Sequence, residues 1–430
     1  MTPGSQLLQN KYETVSAFFK PAIVCADRSL YWRCNGLIIF AATMLTTVML
    51  VFANDAATKA LAQPAAAAPT VDPEKMAQYR QKLAEYKIAR QKFDDDAAIY
   101  WKSIGDKRKA RYAKRRNNET IVLDDYVLIQ PPLDTGPPPP IDPSAPAPVE
   151  PPKPPRYIPV VADFLKNAAE QFQFTPQKPA SENEFKRAYA AVASAAGLTK
   201  DQAVRIYGFE ASGNGAYDVQ AGLEDNRPGA RAVSTALGYN QLLTTNSVEL
   251  LAEQGSQFIL VLRKKAEGLT GPRRTAMDQK IAALQRMIDF SKTVPDDWSE
   301  HERLAKTPQG LGIHALNLDI DVGPLLQTQK LLNSAMFARQ KKFGAPLSAA
   351  ELEMMNLTGD GNGFDILTMP KSMRDQVPTS NFFQHGGYDR NPVASKNNTV
   401  SKLLAQTNSI MDSETALPGA KDLAAAFSPN

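Results

Sequence analysis

A proline-rich tract at residues 131–159 constrains the fold of this chain most, because it holds 14 of the 32 prolines. Proline fixes φ and lacks a backbone N–H, so this density excludes regular helix and sheet and favours extended polyproline II, at about 3.1 Å per residue. Such a segment cannot bury a hydrophobic core. We therefore predict a semi-rigid linker at 131–159, which separates an N-terminal region from a C-terminal domain.

An uncharged apolar run at residues 36–53 is close to the minimum length that spans a hydrocarbon core. Lys and Arg residues precede it, so the positive-inside rule predicts that residues 1–35 are cytoplasmic. The sequence thus predicts a single-pass inner-membrane protein whose C-terminal domain lies in the periplasm. The same run is also consistent with a signal peptide that is cleaved near the Ala-Leu-Ala at 60–62. Residues 54–73, rich in Ala and Pro, form a predicted spacer.

A helix is predicted at residues 74–117, because Asp72 and Pro73 are favourable N-cap and first-turn residues. Apolar side chains recur along it at heptad spacing, at Met76, Leu83, Ala97 and Ile104 and at Tyr79, Tyr86, Phe93 and Tyr100. This pattern is compatible with a coiled coil that self-associates through residues 74–104. Arg90 and Gly105 interrupt the pattern, however, and favour a lone amphipathic stalk helix.

The same helix is basic, with fourteen Lys or Arg against six Asp or Glu between residues 74 and 116, although the whole chain carries only +4. We predict that its most basic tract, residues 107–116, is a solvated helix end. Contact with anionic lipid or with a wall polymer is the alternative. Since the predicted topology places the tract outside the cytoplasm, we expect no nucleic-acid partner.

Few residues in this sequence are suited to metal or triad chemistry. The two cysteines, Cys25 and Cys34, both precede the apolar run, and the chain has three histidines. We therefore expect no disulfide framework in the exported part, no metal site, no Ser/His/Asp triad and no cofactor. Residues 360–363 (Asp-Gly-Asn-Gly) resemble the start of a calcium loop, but Asp365 and Lys371 occupy positions that need Gly and Glu. We interpret 360–363 as a glycine-rich turn.

The C-terminal region from 160 to 395 is predicted to be a mainly α domain. A capping box begins at Ser181, Gly197 ends the first helix, and Thr199 caps the next. Further helices are predicted at 247–266, 274–291 and 325–343, and strand alternation is scarce. Residues 396–430, rich in Ser, Ala and Asn, are predicted to be a flexible tail.

Glu210 is the candidate catalytic residue. The helix that starts after Thr199 carries apolar side chains at Val204, Ile206 and Phe209, and it places Glu210 in its last turn. An apolar environment raises the pKa of a carboxyl, because burial disfavours the charged form. A carboxyl that keeps its proton at neutral pH can protonate a glycosidic oxygen as a general acid.

Three short motifs occur in the order seen in one enzyme family. They are Glu-Ala-Ser-Gly-Asn at 210–214, Gly-Tyr-Asn-Gln-Leu at 238–242 and Leu-Glu-Met-Met-Asn-Leu-Thr-Gly at 352–359. Together with a looser match at 377–383, expected to close the groove, they resemble the soluble lytic transglycosylases, which are related to goose-type lysozyme. The resemblance extends over residues 181–391, about half of the chain.

This resemblance implies a lysozyme-like domain at 160–395 that acts on peptidoglycan. Glu210 would protonate the oxygen between N-acetylmuramic acid and N-acetylglucosamine and then act as the base. The muramoyl C6 hydroxyl would attack its own anomeric carbon, which yields a 1,6-anhydro sugar without a metal or a second carboxylate. The resemblance assigns substrate binding to Ser212, Tyr239, Gln241 and Asn356, with the amides on sugar polar groups and the Tyr239 ring on a sugar face.

The sequence departs from the family pattern at two positions. Asn240 stands where an apolar residue is usual, and Met355 stands where a Tyr is usual. The gap at 215–233 is also longer than the family pattern. These departures leave open a second interpretation, a catalytically inactive peptidoglycan-binding or scaffold protein of the same fold. A third is a structural component of an envelope assembly that uses residues 74–116 for interaction.

Overall fold

The computed structural model describes residues 72–145, 157–223, 228–389 and 391–427. The predicted cytoplasmic segment, the predicted membrane helix at 36–53 and most of the Ala/Pro spacer lie outside these residues. Among the helices that are described, none combines the length and apolarity needed to cross a membrane.

The described chain is mainly helical, as the sequence predicts, and it contains no β-strand in these ranges. In chain order, the helices are α1 (Pro73–Arg116), α2 (Val161–Phe172), α3 (Glu182–Ala196), α4 (Lys200–Glu210), α5 (Thr244–Ala266), α6 (Gly271–Ser291), α7 (Trp298–Ala305), α8 (Pro308–His314), α9 (Gly323–Gln340), α10 (Ala349–Thr358), α11 (Asp360–Thr368), α12 (Lys371–Arg374), α13 (His385–Asp389), α14 (Pro392–Lys396), α15 (Val400–Glu414) and α16 (Pro418–Ala426). Short 3₁₀ helices lie at Leu123–Asp125, Ala315–Leu318 and Thr379–Phe382.

Local capping explains where the helices of the site begin and end. The Ser181 hydroxyl accepts a hydrogen bond from the backbone N–H of Glu184 at 3.2 Å, and α3 ends at Gly197 with φ of 92°. The Thr199 hydroxyl accepts from the Gln202 N–H at 3.1 Å and starts α4. These contacts satisfy backbone groups that a helix end leaves unpaired. The helix ends adjacent to the candidate acid are therefore encoded locally.

The chain divides into two compact units. The larger, which we call the core unit, contains residues 90–135 and 157–427 of the described chain. The smaller contains residues 72–89 and 136–145, which are the first turns of α1 and part of the proline-rich tract. Within the smaller unit, the residues at 136–145 form no helix, in keeping with their proline content.

The second half of α1 is an integral part of the core unit. Ala97, Tyr100 and Ile104 are buried, and the Tyr100 hydroxyl lies 2.6 Å from the Ser380 hydroxyl. These three positions belong to the heptad seam for which self-association is predicted. Because they are covered within the chain itself, the part of the seam at 97–104 is not available to a second copy.

The basic tract at 107–116 was predicted to be a solvated helix end, and the structure differs. Arg108 and Arg111 are buried, since backbone carbonyls provide acceptors for their guanidinium groups. Arg108 donates to the Phe383 carbonyl at 2.7 Å, and Arg111 donates to the Asn381 carbonyl at 3.0 Å. Such hydrogen bonds lower the cost of burying a guanidinium, although the Nε–H of Arg108 has no hydrogen-bond partner among the described residues.

The predicted flexible tail is also folded in its described part. Residues 400–414 and 418–426 are the helices α15 and α16, and Leu403, Met411 and Leu423 are fully buried. The spacing of such residues provides one apolar face, which the Ser/Ala/Asn-rich composition obscures in the sequence. The domain therefore extends beyond the predicted boundary at 395.

The core unit contains separate hydrophobic clusters. One is built mainly on α2, α5 and α6, and another on α3, α4, α9, α10, α11, α15 and α16. The start of α5 belongs to the first cluster, whereas α4 and α10 belong to the second. A cleft is lined by residues from the start of α5 and from the C-terminal ends of α4 and α10.

Candidate active site

Glu210 is the last residue of α4, and the turn that follows it is held by the C-terminal helices. Gly213 has φ of 59°, and a Cβ there would lie 2.4 Å from the Glu414 carbonyl oxygen. The Asn214 side-chain oxygen accepts a hydrogen bond from the Gly419 N–H at 3.0 Å. This close approach needs glycine at 213, since any side chain would be both strained and obstructed. The turn therefore fixes the end of α4 against α15 and α16.

The second wall of the site is the helix α10, which presents Glu353 and Asn356 one turn apart. The Asn356 amide nitrogen donates to Glu210 Oε1 at 3.0 Å and lies 3.5 Å from each carboxyl oxygen of Glu353. Glu353 is fully buried, whereas Glu210 is half-buried at the cleft. Because one amide nitrogen reaches both carboxyls, Glu210 and Glu353 lie side by side. Two carboxyls and one amide thus form a single polar cluster.

Burial controls the protonation of this cluster. It raises the pKa of Glu210 to about 7, and hydrogen bonds from Glu353 and Asn356 partly oppose that rise. Burial also raises the pKa of Glu353 well above its usual range, and the neighbouring Glu210 raises it further. Because two adjacent carboxyls resist double ionisation, the pair retains a proton at neutral pH. The arrangement provides an acid where the sequence predicts one.

The cleft beside Glu210 has a volume of about 720 Å³. Its lining combines amide, carboxyl, ammonium and indole groups, among them Gln241, Asn246, Glu249, Trp298, Lys330, Asn356 and Asp360. Trp298, at the start of α7, is 45% exposed. Indole side chains are usually more buried than this, and an exposed ring in a cleft can stack on a ligand.

Further carboxyls give the cleft an acidic lining. Burial raises the pKa of Glu249 to about 7, and Lys330 opposes this rise. Burial likewise raises the pKa of Asp360, which accepts a hydrogen bond from the Ser334 hydroxyl at 2.7 Å. A wall of carboxyls and amides offers both donors and acceptors of hydrogen bonds and so suits a hydroxyl- and amide-rich ligand.

Tyr239 was predicted to bind substrate, and the structure corrects this assignment. Its side chain is fully buried among the rings of Phe185, Tyr189 and Tyr207. Its hydroxyl donates a hydrogen bond to the Glu182 carboxyl. The ring is therefore part of the core and cannot contact a sugar face.

Gln241 lines the cleft, as expected of a ligand-binding residue, and it also maintains its own turn. Its amide nitrogen donates to the Gly238 carbonyl at 2.8 Å and to the Val219 carbonyl at 3.2 Å. The adjacent Asn240 is buried, and its amide nitrogen donates to the Gln327 carbonyl at 2.8 Å. The departure from the family pattern at 240 thus places a hydrogen-bonded amide in the core beneath the turn.

Ser212 and Met355 do not contribute to the cleft. Ser212 is exposed, with φ of 50°, and lies outside the set of residues that line it. Met355 is 1% exposed and packs on α11, where a Cβ at Gly363 would lie 2.4 Å from its Cα. Met355 therefore occupies the interface between α10 and α11 instead of the site.

Two other motif predictions need correction. Residues 360–363, predicted to be a turn, are the first turn of α11, because Gly359 at φ of 81° caps the helix and accepts from the Gly363 N–H at 2.9 Å. The segment at 377–383, expected to close the groove, is partly a 3₁₀ helix whose Asn381 is buried and contacts α1. In the described parts of the chain, no group of three or more His, Cys, Asp or Glu residues is placed to hold a metal ion.

Sequence reasoning missed Glu353 and Trp298. For Glu353 a signal was available, since it precedes Asn356 by three residues and a helix places such positions on one face. For Trp298 no local signal exists, because α7 is distant from the other cleft residues in sequence.

Comparisons with protein-family models, with curated proteins and with solved structures find no match to this chain. The functional interpretation therefore depends on the site itself. Its components are a half-buried acid, an amide that orients it, a second buried carboxyl and an open polar cleft.

Proposed function

We propose that this protein is a peptidoglycan lytic transglycosylase in which Glu210 cleaves the bond between N-acetylmuramic acid and N-acetylglucosamine. The observation that carries the proposal is the position of the Glu210 carboxyl, which lines an open cleft and is held by Asn356 at 3.0 Å. Its pKa of about 7 supports a proton-donating role at neutral pH. The substrate class follows from the resemblance of the three motifs.

The reaction needs one acid–base group. The Glu210 O–H would protonate the bridging oxygen as the bond from that oxygen to the muramoyl anomeric carbon breaks. The muramoyl C6 hydroxyl would then form a bond to the anomeric carbon, and the Glu210 carboxylate would take the hydroxyl proton. The products are a 1,6-anhydromuramoyl end and a free N-acetylglucosamine end, and Glu210 regains its proton. This differs from hydrolysis by two carboxylates, in which water is consumed.

The remaining cleft residues have supporting roles in this proposal. Asn356 orients the Glu210 carboxyl through its amide nitrogen. Gln241 and Asn246 offer amide groups to sugar hydroxyl and N-acetyl groups. Trp298 takes the place that the resemblance assigned to Tyr239, since its ring is exposed at the cleft.

The location of the protein is part of the proposal. We propose that residues 36–53 anchor the chain in the inner membrane and that the core unit lies in the periplasm. Self-association, if it uses the heptad, would use the part at 76–93, since the seam at 97–104 is covered within the core unit.

Full-length protein in mild detergent, incubated with purified sacculi and analysed by mass spectrometry, tests the proposal. We expect 1,6-anhydromuropeptides from the wild type and a loss of at least about 100-fold in Glu210→Gln, the usual scale for removing a general acid. Glu300→Gln, which changes a half-buried carboxyl outside the cleft, is the matched control. Sacculus binding without products from any variant would instead support the inactive peptidoglycan-binding alternative.

A further inference from the structure

Glu353 is the most unusual buried group in the core unit. It is 0% exposed, and within the described part of the chain no ion pair involves it. Its two carboxyl oxygens lie 3.5 Å from the Asn356 amide nitrogen, which also donates to Glu210 Oε1 at 3.0 Å, so the two carboxyls are neighbours. A buried carboxyl without a cation beside it costs the fold free energy unless it is neutral and hydrogen-bonded. A buried carboxyl of this kind lowers the stability of the fold, and its position beside the candidate acid points to a functional role.

We propose that Glu353 is a positioning residue that stays protonated and donates its O–H to the Glu210 carboxyl. This inference rests on the proposed function, because it gives a role to Glu353 in the acid–base cycle of Glu210. Glu353 is not a catalytic residue, since it is fully buried behind Glu210 and is not among the residues that line the cleft.

The geometry determines which of the two carboxyls loses its proton first. Glu210 borders the cleft and is half-buried, so water and ligand can stabilise its charged form. Glu353 has no such access. The proton that leaves the pair therefore comes from Glu210, and the remaining proton sits on Glu353. A hydrogen bond from a neutral donor to an ionised carboxyl is about twice as strong as one between neutral groups.

This asymmetry has a consequence for the proposed reaction. When Glu210 gives its proton to the glycosidic oxygen, it becomes a carboxylate that already faces two donors, Glu353 and Asn356. Both donors come from α10 and are fixed before the reaction, so no reorganisation is needed when charge develops. Met355, buried on the other side of α10, cannot provide such a contact.

The charged groups around the pair come from adjacent helices. Lys330 on α9 lowers the pKa of Glu353 only weakly, and Asp360 on α11 lines the same cleft. From α4, the charged group that faces Glu353 is Glu210. No cation of the described chain lies within ion-pair distance of either carboxyl. The proton that the two carboxyls retain is therefore what mainly prevents repulsion between them.

Two substitutions test whether Glu353 acts as a hydrogen-bond donor or only occupies volume in the core. Glu353→Gln keeps an N–H donor of nearly the same shape, whereas Glu353→Met keeps the volume and removes the hydrogen bond. Full-length proteins labelled with ¹³C at the glutamate Cδ would be titrated by NMR, with Glu210→Gln and Glu353→Gln used to assign the two signals. The pH profile of anhydromuropeptide release would be measured on the same proteins.

We expect the wild-type signals to show Glu210 titrating below Glu353. In Glu353→Met, the pKa of Glu210 should rise by about one to two units and turnover should fall roughly 10- to 100-fold, since a hydrogen bond to a charged group is lost. Glu353→Gln should restore both to near the wild-type values. Equal effects of Gln and Met, or a wild-type Glu353 that ionises before Glu210, would overturn the inference.

The two proposals fail in different ways. If the titration behaves as expected but no variant releases anhydro products, the proposed function fails and the hydrogen-bonded pair stands. If products form but neither the Glu210 titration nor the pH profile responds to Glu353→Met, the function stands and the role of Glu353 fails. Should Glu353→Met not fold, the order of the two wild-type titrations still decides the inference.

Discussion

Arg111 and Asp365 form a fully buried ion pair, with Arg111 Nε 3.3 Å from Asp365 Oδ2. The two residues lie 254 positions apart and join α1 to α11. Arg111 also donates to the Asp125 carbonyl at 3.0 Å, and its guanidinium lies over the Tyr126 ring. The second half of α1 is thus part of the domain that carries the site.

Arg111→Met should therefore destabilise the core unit strongly. Removing one partner of a buried pair leaves a buried charge, which typically costs about 3–5 kcal/mol, and the remaining contact from Arg115 to Asp365 should keep the loss near the lower value. Urea unfolding of the variant measures this. Lys102→Ala, which removes an exposed pair with Asp106, should change stability by less than about 1 kcal/mol. Equal losses in both variants would show that α1 is not integrated as described.

Gly213→Ala should destabilise the protein and impair the site. The added Cβ would lie 2.4 Å from the Glu414 carbonyl oxygen, and φ of 59° disfavours alanine, so we expect a loss of about 1–3 kcal/mol and reduced turnover. Gly105→Ala is the control, because it lies within α1 with open space around it and should stabilise by about 0.5–1 kcal/mol. Thermal unfolding and sacculus digestion measure the two effects. A neutral Gly213→Ala would mean that the turn after Glu210 does not depend on α15.

Tyr239→Phe should lower stability without changing affinity for glycan. The substitution removes the hydrogen bond from the Tyr239 hydroxyl to the Glu182 carboxyl. The free energy of unfolding should fall by about 1–3 kcal/mol, which is typical for the loss of a hydrogen bond to a charged group. Trp298→Ala should show the reverse, with weaker sacculus binding and little change in stability, because its ring is exposed at the cleft. Binding assays and denaturant unfolding separate the two. Weaker glycan binding in Tyr239→Phe would restore the original assignment.

His314 should make the fold sensitive to acid. Burial lowers its pKa to about 4, and its ring nitrogens contact the Ser247 hydroxyl at 2.8 Å and the Thr235 carbonyl at 2.9 Å. The unfolded chain binds a proton near pH 6.5, whereas the folded chain does so only near pH 4. The stability contributed by the neutral ring is therefore present above pH 6.5 and is lost as the pH falls to 4, by roughly 3 kcal/mol.

The raised pKa values of Glu210 and Glu353 act in the opposite direction. Their protonated forms favour the folded state below pH 4.5, and the contribution of Glu210 is lost as the pH rises through about 7. Glu353 acts in the same sense, because burial raises its pKa as well. Unfolding free energies measured from pH 4 to 8 on the wild type and on His314→Gln should differ in slope between pH 4 and 6.5. An unchanged slope in His314→Gln would contradict the prediction.

Some features of the site could be read from local sequence. The Ser181 and Thr199 caps, Gly197 and the apolar spacing of α4 predicted where α3 and α4 lie and placed Glu210 at a helix end, because capping and periodicity act over a few residues. The resemblance also brought Asn356 to the site, where its amide contacts Glu210.

Other features could not be read in this way. The sequence places Tyr239 in a polar turn between helices. Its burial is apparent only from the tertiary structure, in which three aromatic rings pack around it. The basic tract at 107–116 has the sequence pattern of a solvated helix end. Only the tertiary structure shows that the carbonyls of Phe383 and Asn381 accept hydrogen bonds from its arginines.

The sequence by itself determined the helical class, the helix ends around Glu210 and the polar turn at 238–242, since each depends on interactions between near neighbours along the chain. The tertiary structure alone decided that α1, α15 and α16 belong to the domain, that Met355 faces the core, and that Glu353 lies against Glu210. Apart from Met355, which packs on the adjacent helix α11, these outcomes depend on contacts between residues more than a hundred positions apart. Burial then changes the charge state of a carboxyl in ways that no local pattern records.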